Sequence, residues 1–215
     1  MFYLIIKDMV TQKKNFLYTL FYTMFAATNF FTMSDSGITL YTISPMVLIS
    51  IFITYAATHD DKNKSEIVLN SLPLNRAQIV MSKYISAFLF ATIGVIYSIS
   101  VGFIGKTIGL LNPGSISLFN IVSVLAFACI FSSIYLPMYF KFGGIRANQI
   151  MVIVVIVSSA IPPLAYANRV ALMKVYYYII RATGLSLNFI ILILGLIMFL
   201  ISIIASTWIY NNREF

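Results

Sequence analysis

Few residues of this 215-residue chain could carry out chemistry: six are Asp or Glu, one is histidine and one is cysteine. Gly105-Lys106-Thr107 has the ending of a phosphate-binding loop, G-x-x-x-x-G-K-S/T, but Ser100 stands where its first glycine would be. The tripeptide also closes an apolar run, so it is read as a helix end, and the chain is not expected to hydrolyse ATP by itself. His59 sits at the edge of an apolar run and is read as interfacial rather than catalytic. Cys129 lies inside another run, which leaves no disulfide framework or zinc cluster within one chain. Ionisable residues buried in apolar runs usually mark function, because they are costly there; here the runs carry essentially none. That speaks against an ion-coupled carrier, which relays protons through buried carboxylates. It speaks equally against an intramembrane protease, which needs paired acids, a metal-binding histidine cluster or a Ser/His pair. No catalytic residue, metal site or directly bound cofactor is expected, and the chain is not expected to be an enzyme.

The elements that position these residues are apolar helices. Sixty per cent of the residues are apolar and nine per cent charged, against about 25% charged in a soluble domain. A bilayer core of about 30 Å needs roughly 20 apolar residues per helix. Six runs qualify: 16–33, 38–58, 84–105, 118–140, 150–167 and 187–210. The expected fold is therefore an all-α integral membrane protein with six transmembrane helices in a single transmembrane domain, 1–215. Residues 1–15 precede the first span, with Phe2, Ile5, Ile6, Met9 and Val10 at helical spacing and Lys7, Thr11 and Lys14 opposite. Such a segment is expected to lie flat in the headgroup region as an interfacial helix. The start, MFYLIIKDMV, has neither a basic n-region nor a small-residue cleavage site, so no cleavable signal peptide is expected.

The net charge of +8 does not point to nucleic acid, because the basic residues form no stripe and fall between apolar runs. With the N-terminus inside, the inner segments hold ten Lys or Arg and the outer ones four, which puts both termini in the cytoplasm. Ser34–Gly37 and Asn112-Pro113-Gly114 read as turns, Trp208 and Tyr210 as an interfacial anchor, and Arg169–Arg181 as a short outer helix touching lipid headgroups. The fourth span is expected to end near Pro137. Pro45 and the pair Pro162-Pro163 read as kinks and candidate gating points. The many hydroxyls in the spans, among them Ser50, Ser98, Ser132, Ser133, Ser202 and Ser206, are read as helix-packing groups. A route for a substrate is the alternative.

One long polar interruption organises the rest. Residues 60–83 carry three of the six acidic and four of the fourteen basic residues. Lys64–Leu72 is amphipathic, with Ile67, Val68 and Leu72 apolar; Leu72-Pro73 breaks the helix, and Asn75 with Gln78 reads as a capped restart. A short helix, a turn and a capped long helix between two spans make a docking element rather than a flexible linker.

The run Glu66-Ile-Val-Leu-Asn-Ser-Leu-Pro73-Leu-Asn-Arg76, followed by Ile79-Val80 and Lys83-Tyr84, resembles the first cytoplasmic loop of ABC-2-type exporter permeases, the membrane-spanning subunits of bacterial ABC transporters. In that family an acidic residue, a Leu-x-Ser-Leu-Pro turn, an arginine and a Lys-Tyr/Phe pair lie between spans two and three. The size of the chain looks like that of small bacterial peptide and antibiotic exporters. The resemblance implies the type V exporter architecture and a multi-pass protein of the bacterial plasma membrane. It also implies a cytoplasmic ABC ATPase subunit carrying the ATP and Mg, and a second permease chain, either identical or a sister. Lys64–Leu72 would be the coupling helix, with Ile67, Val68 and Leu72 as anchors in the ATPase. Lys64 and Glu66, with Asp60, Asp61 and Lys62, would form a polar rim, Arg76 would belong to the docking set, and Pro73 and the capped start at Asn75 would pass the push on to span three. A hydrophobic or amphipathic cargo, peptide or antibiotic, would be exported. The alternative from another class is a membrane immunity or adaptor protein that binds a toxic peptide without transporting it.

Overall fold

The computed structural model describes residues 3–13, 21, 39–65, 75–109, 116–158 and 187–213. The described elements are helical. Helix α1 covers residues 3–13. A π-helical turn, Thr39–Ile43, leads into α2, Ser44–Lys62; then come α3, Arg76–Thr107, α4, Leu118–Phe142, α5, Gly144–Ser158, and α6, Leu187–Asn211. Among the described residues, four helices are long and apolar enough to cross a membrane: Leu40–Lys62, Arg76–Thr107, Leu118–Phe142 and Phe189–Asn211. The expected span 16–33 apart from Phe21, the second half of the expected span 150–167, both turns, the outer segment Arg169–Arg181 and the proline pair Pro162-Pro163 lie outside the described residues.

Local chemistry sets the helix ends. Asn75, in extended conformation, accepts a hydrogen bond from Ala77 N at 3.2 Å and caps α3; Ser117 does the same for α4 from Phe119 N at 3.1 Å. Gly143 ends α4 at φ 84°, a left-handed conformation that glycine adopts without a Cβ clash. Lys64, at φ 50°, closes α2 in the same region. At 32 residues, α3 starts eight residues ahead of the expected span at 84. It is about 48 Å long at 1.5 Å per residue, so its polar first turns extend beyond the hydrocarbon.

Pro137 does not end α4, which runs on to Phe142. A proline inside a helix leaves the carbonyl four residues back without its N–H partner. That carbonyl belongs to Ser133, and the Ser202 hydroxyl of α6 donates to it at 2.8 Å. Because the single Ser202 proton is used there, its oxygen accepts from the Tyr84 hydroxyl at 2.6 Å, and Tyr84 in turn accepts from Ser206 at 2.8 Å. These serines are packing groups between α3, α4 and α6. Along α2, Ser50, Thr54 and Thr58 bond carbonyls one turn back in their own helix, those of Met46, Ser50 and Thr54.

One apolar cluster unites all six helices, from Leu4 and Phe52 through Tyr84, Phe90, Tyr135 and Ala147 to Phe199 and Tyr210. The pair α4 and α6 is the most extensively packed. There, a Cβ on Gly195 would already touch the Ala126 carbonyl at 3.4 Å, so the small residue sets the approach. Pro45 stands where the π-helical turn passes into α2, and it packs on Gly94 of α3. Tyr210, expected at the membrane interface, is buried edge-on against Phe140, while Trp208 is exposed.

Candidate functional site: the base of the charged loop

The helix ends that flank the charged loop are joined by a buried ionic quartet. Asp8 of α1, Asp60 of α2 and Lys83 of α3 are 1%, 2% and 8% exposed. The Lys83 ammonium lies 2.6 Å from Asp8 Oδ1 and 2.5 Å from Asp60 Oδ2. Lys7 Nζ reaches Asp60 Oδ1 at 2.7 Å, and Ser86 donates to Asp8 Oδ2 at 3.1 Å. Two carboxylates and two ammonium groups cancel in charge. Such a group persists in an apolar interior only because each charge is paired and hydrogen-bonded.

The quartet changes the placement of α1. The row Leu4, Asp8, Gln12, spaced four residues apart, faces the bundle, and Gln12 Nε2 donates to the Phe52 carbonyl at 2.9 Å. From Lys7 to Gln12 the partners on α2 move from Asp60 back to Phe52. α1 therefore runs antiparallel to α2 and is docked along it. Its outer row, Tyr3, Ile6 and Val10, is apolar and exposed, as an amphipathic membrane helix requires.

Three further contacts tie in the other helix ends. Arg76 Nη1 is cradled by carbonyls at the end of α6: Asn211 at 2.7 Å, Tyr210 at 3.2 Å and Arg213 at 3.3 Å. These groups have no partner within the helix, and a cation is favoured there. Arg213 Nη1 bonds the Phe140 carbonyl of α4 at 3.0 Å. Asp61 accepts from Ile145 N at 3.1 Å and so caps α5 from another helix. Gly144 makes this possible, since a Cβ there would overlap the Ala57 backbone of α2.

Of the residues singled out from sequence for ATPase docking, Lys64 and Arg76 are described. Lys64 is an exposed helix terminator and Arg76 a clamp on α6. Glu66, Ile67, Val68, Leu72 and Pro73 lie outside the described residues. Asp60, assigned to an outward polar rim, is buried in the quartet, and Asp61 is turned onto α5. The ionisable residues that the apolar runs lack enter because α2 and α3 reach beyond the expected span limits, to Asp60 and Lys83, and because α1 brings Lys7 and Asp8 against them. Both side chains of the Lys83-Tyr84 pair are buried, one in the quartet and one on Ser202 and Ser206. Gly105-Lys106-Thr107 forms the closing turn of α3, with Lys106 and Thr107 exposed. A phosphate cradle needs the free N–H groups of a helix start, and this is the opposite end.

Apolar spanning helices whose charges are spent on joining helix ends define a multi-pass helical membrane protein. The family model for ABC-2 family transporter proteins matches residues 3–211. The chain belongs to that family and is a membrane permease component of an ABC transporter. No curated protein and no solved structure matches it.

Proposed function

We propose that this chain is the transmembrane subunit of an ATP-driven exporter that moves a hydrophobic or amphipathic cargo, peptide or antibiotic, out of a bacterial cell. In this reading it has six spans of the type V arrangement, lies in the plasma membrane with both termini in the cytoplasm, and works with a second permease chain. A separate ABC ATPase binds ATP and Mg and docks on Lys64–Leu72 through Ile67, Val68 and Leu72, with Lys64 and Glu66 at the rim. Family membership over nearly the whole chain carries the reading. The base of the loop supports the coupling role. A displacement of the loop would be delivered by Arg76 to the end of α6, by Lys83 to α1 and α2, and by Asp61 to α5. Bistable packed elements can amplify such displacements, with Pro73 as the joint and Pro45, Pro162 and Pro163 as gating points.

The test is a detergent pull-down of the full chain from its host, with partners identified by mass spectrometry, for the wild type and for Ile67→Asp and Leu72→Asp. The wild type is expected to retain an ATPase subunit in stoichiometric amount, and the variants to insert normally but lose it. Retention by both variants overturns the docking role. A wild-type chain that carries a peptide and no ATPase would make it a non-transporting immunity or adaptor protein.

A further inference from the structure

Beside the quartet, where α1 leans on α2 and α3, a groove of about 320 Å³ opens to the surface. This lies at the small end of the roughly 300–1,000 Å³ range of small-molecule sites. Its walls are Met9, Phe52, Phe90 and Ile93, and its two polar residues are Gln12 and Lys13. Gln12 is 4% exposed, and its Nε2 is committed to the Phe52 carbonyl. Because that partner can only accept, the amide orientation is fixed and Oε1 is an acceptor; it has no hydrogen-bond partner among the described residues. A buried acceptor left unpaired is unfavourable, so this one calls for a donor. Lys13 is exposed and, unlike Lys7 and Lys83, makes no ion pair among the described residues.

We infer that this groove binds one anionic phospholipid, with its phosphate on Lys13, a headgroup hydroxyl donating to Gln12 Oε1 and acyl chain along Phe52, Phe90 and Ile93. Three requirements are met together: a cation at the mouth, a buried acceptor below it and an apolar wall. Phosphatidylcholine offers a phosphate and an acyl chain but no donor for Gln12, and its choline cation offsets the attraction between its phosphate and Lys13. The outward apolar row of α1, Tyr3, Ile6 and Val10, places the mouth where lipid is the surrounding solvent. The inference concerns anchoring of α1 and does not depend on which cargo is exported or on whether an ATPase docks.

The experiment is native mass spectrometry of the full-length chain with phosphatidylglycerol or phosphatidylcholine of identical acyl chains. Phosphatidylglycerol should bind in preference. Lys13→Gln should reduce that preference by roughly fivefold, the worth of one basic residue at an anionic surface. Ile93→Trp, which fills the groove, should reduce retention of both lipids. Independently of any variant, phosphatidylglycerol with a photoactivatable acyl chain should label the α1 peptide carrying Met9 and the α3 peptide carrying Phe90 and Ile93. Equal retention of the two lipids by the wild type, an unchanged preference in Lys13→Gln, or labelling confined to other peptides overturns the proposal.

Discussion

At the loop-bearing end of the bundle, six helices meet through side chains that end on charges or on helix-terminal backbone groups: Lys83 on Asp8 and Asp60, Arg76 on the last carbonyls of α6, Arg213 on α4 and Asp61 on α5. At the other end, the π-helical turn, α2 and α3 meet through Tyr41, Pro45, Gly94 and Gly102, with no ion pair among the described residues. There, a Cβ on Gly102 would overlap the Tyr41 hydroxyl, so close packing does the work that charge does opposite. The two kinds of contact respond differently to a push. A buried ionic group is costly when half-broken, so the helix ends it joins move together or not at all. Contacts between small apolar residues and rings lack that penalty. In the proposed permease the first end is a plate that receives force, and the second is where relative helix motion is least opposed.

The largest effect that could break this comparison comes from Lys83. Lys83→Met leaves two buried carboxylates facing Lys7 alone, and removing one partner of a buried ionic group costs about 3–5 kcal/mol. Unfolding of the purified chain by SDS, followed by circular dichroism, should shift by that order. Adding Asp8→Asn leaves Lys7 and Asp60 as a neutral pair, and the double variant should recover much of the loss. A single variant as stable as wild type would mean that the quartet is not what holds this end together.

How much of this was legible beforehand follows from the period of each signal. Long apolar runs fix the existence of α2, α3, α4 and α6, and the cap Asn75 is local enough to read from the sequence; the Ser117 cap emerges only in the structure. The quartet was not legible, because its members come from three segments, with Asp60 standing 52 positions after Asp8 and Lys83 23 positions after Asp60. Asp60 and Lys83 lie just outside apolar runs, where a charge reads as a solvated loop residue, and Asp8 lies within the amphipathic segment 1–15. Pro137 misled for a similar reason. Its local effect is helix-breaking, and only the Ser202 hydroxyl from a helix 65 residues further on makes the continuation affordable.

That rescue gives the intermediate prediction. Ser202→Ala removes the donor to the Ser133 carbonyl and the acceptor of the Tyr84 hydroxyl at once. Leaving a buried polar group unpaired costs about 1–3 kcal/mol, and Tyr84 retains Ser206, so the loss should fall in that range and below that of Lys83→Met. The same SDS titration checks it. Ser206→Ala removes no partner of Ser133 and should be the milder of the two; the reverse order would refute the assignment of Ser202 as the group that lets α4 run through Pro137.

The smallest effect sharpens the contrast from the other side. Lys106 ends α3 at the apolar end, is exposed, and makes no ion pair among the described residues. Its charge also sits in the last turn of the helix, where a cation is worth about 0.3–1 kcal/mol at most and is screened by salt. Lys106→Gln should therefore change the stability read from the SDS titration by less than about 1 kcal/mol. A lysine is lost in Lys83→Met and in Lys106→Gln alike, so the difference in stability between them reads the plate itself rather than the net charge of the chain. A loss at Lys106 comparable to that at Lys83 would mean that charge organises both ends, and the division between a force-receiving plate and a freely packing end would fall.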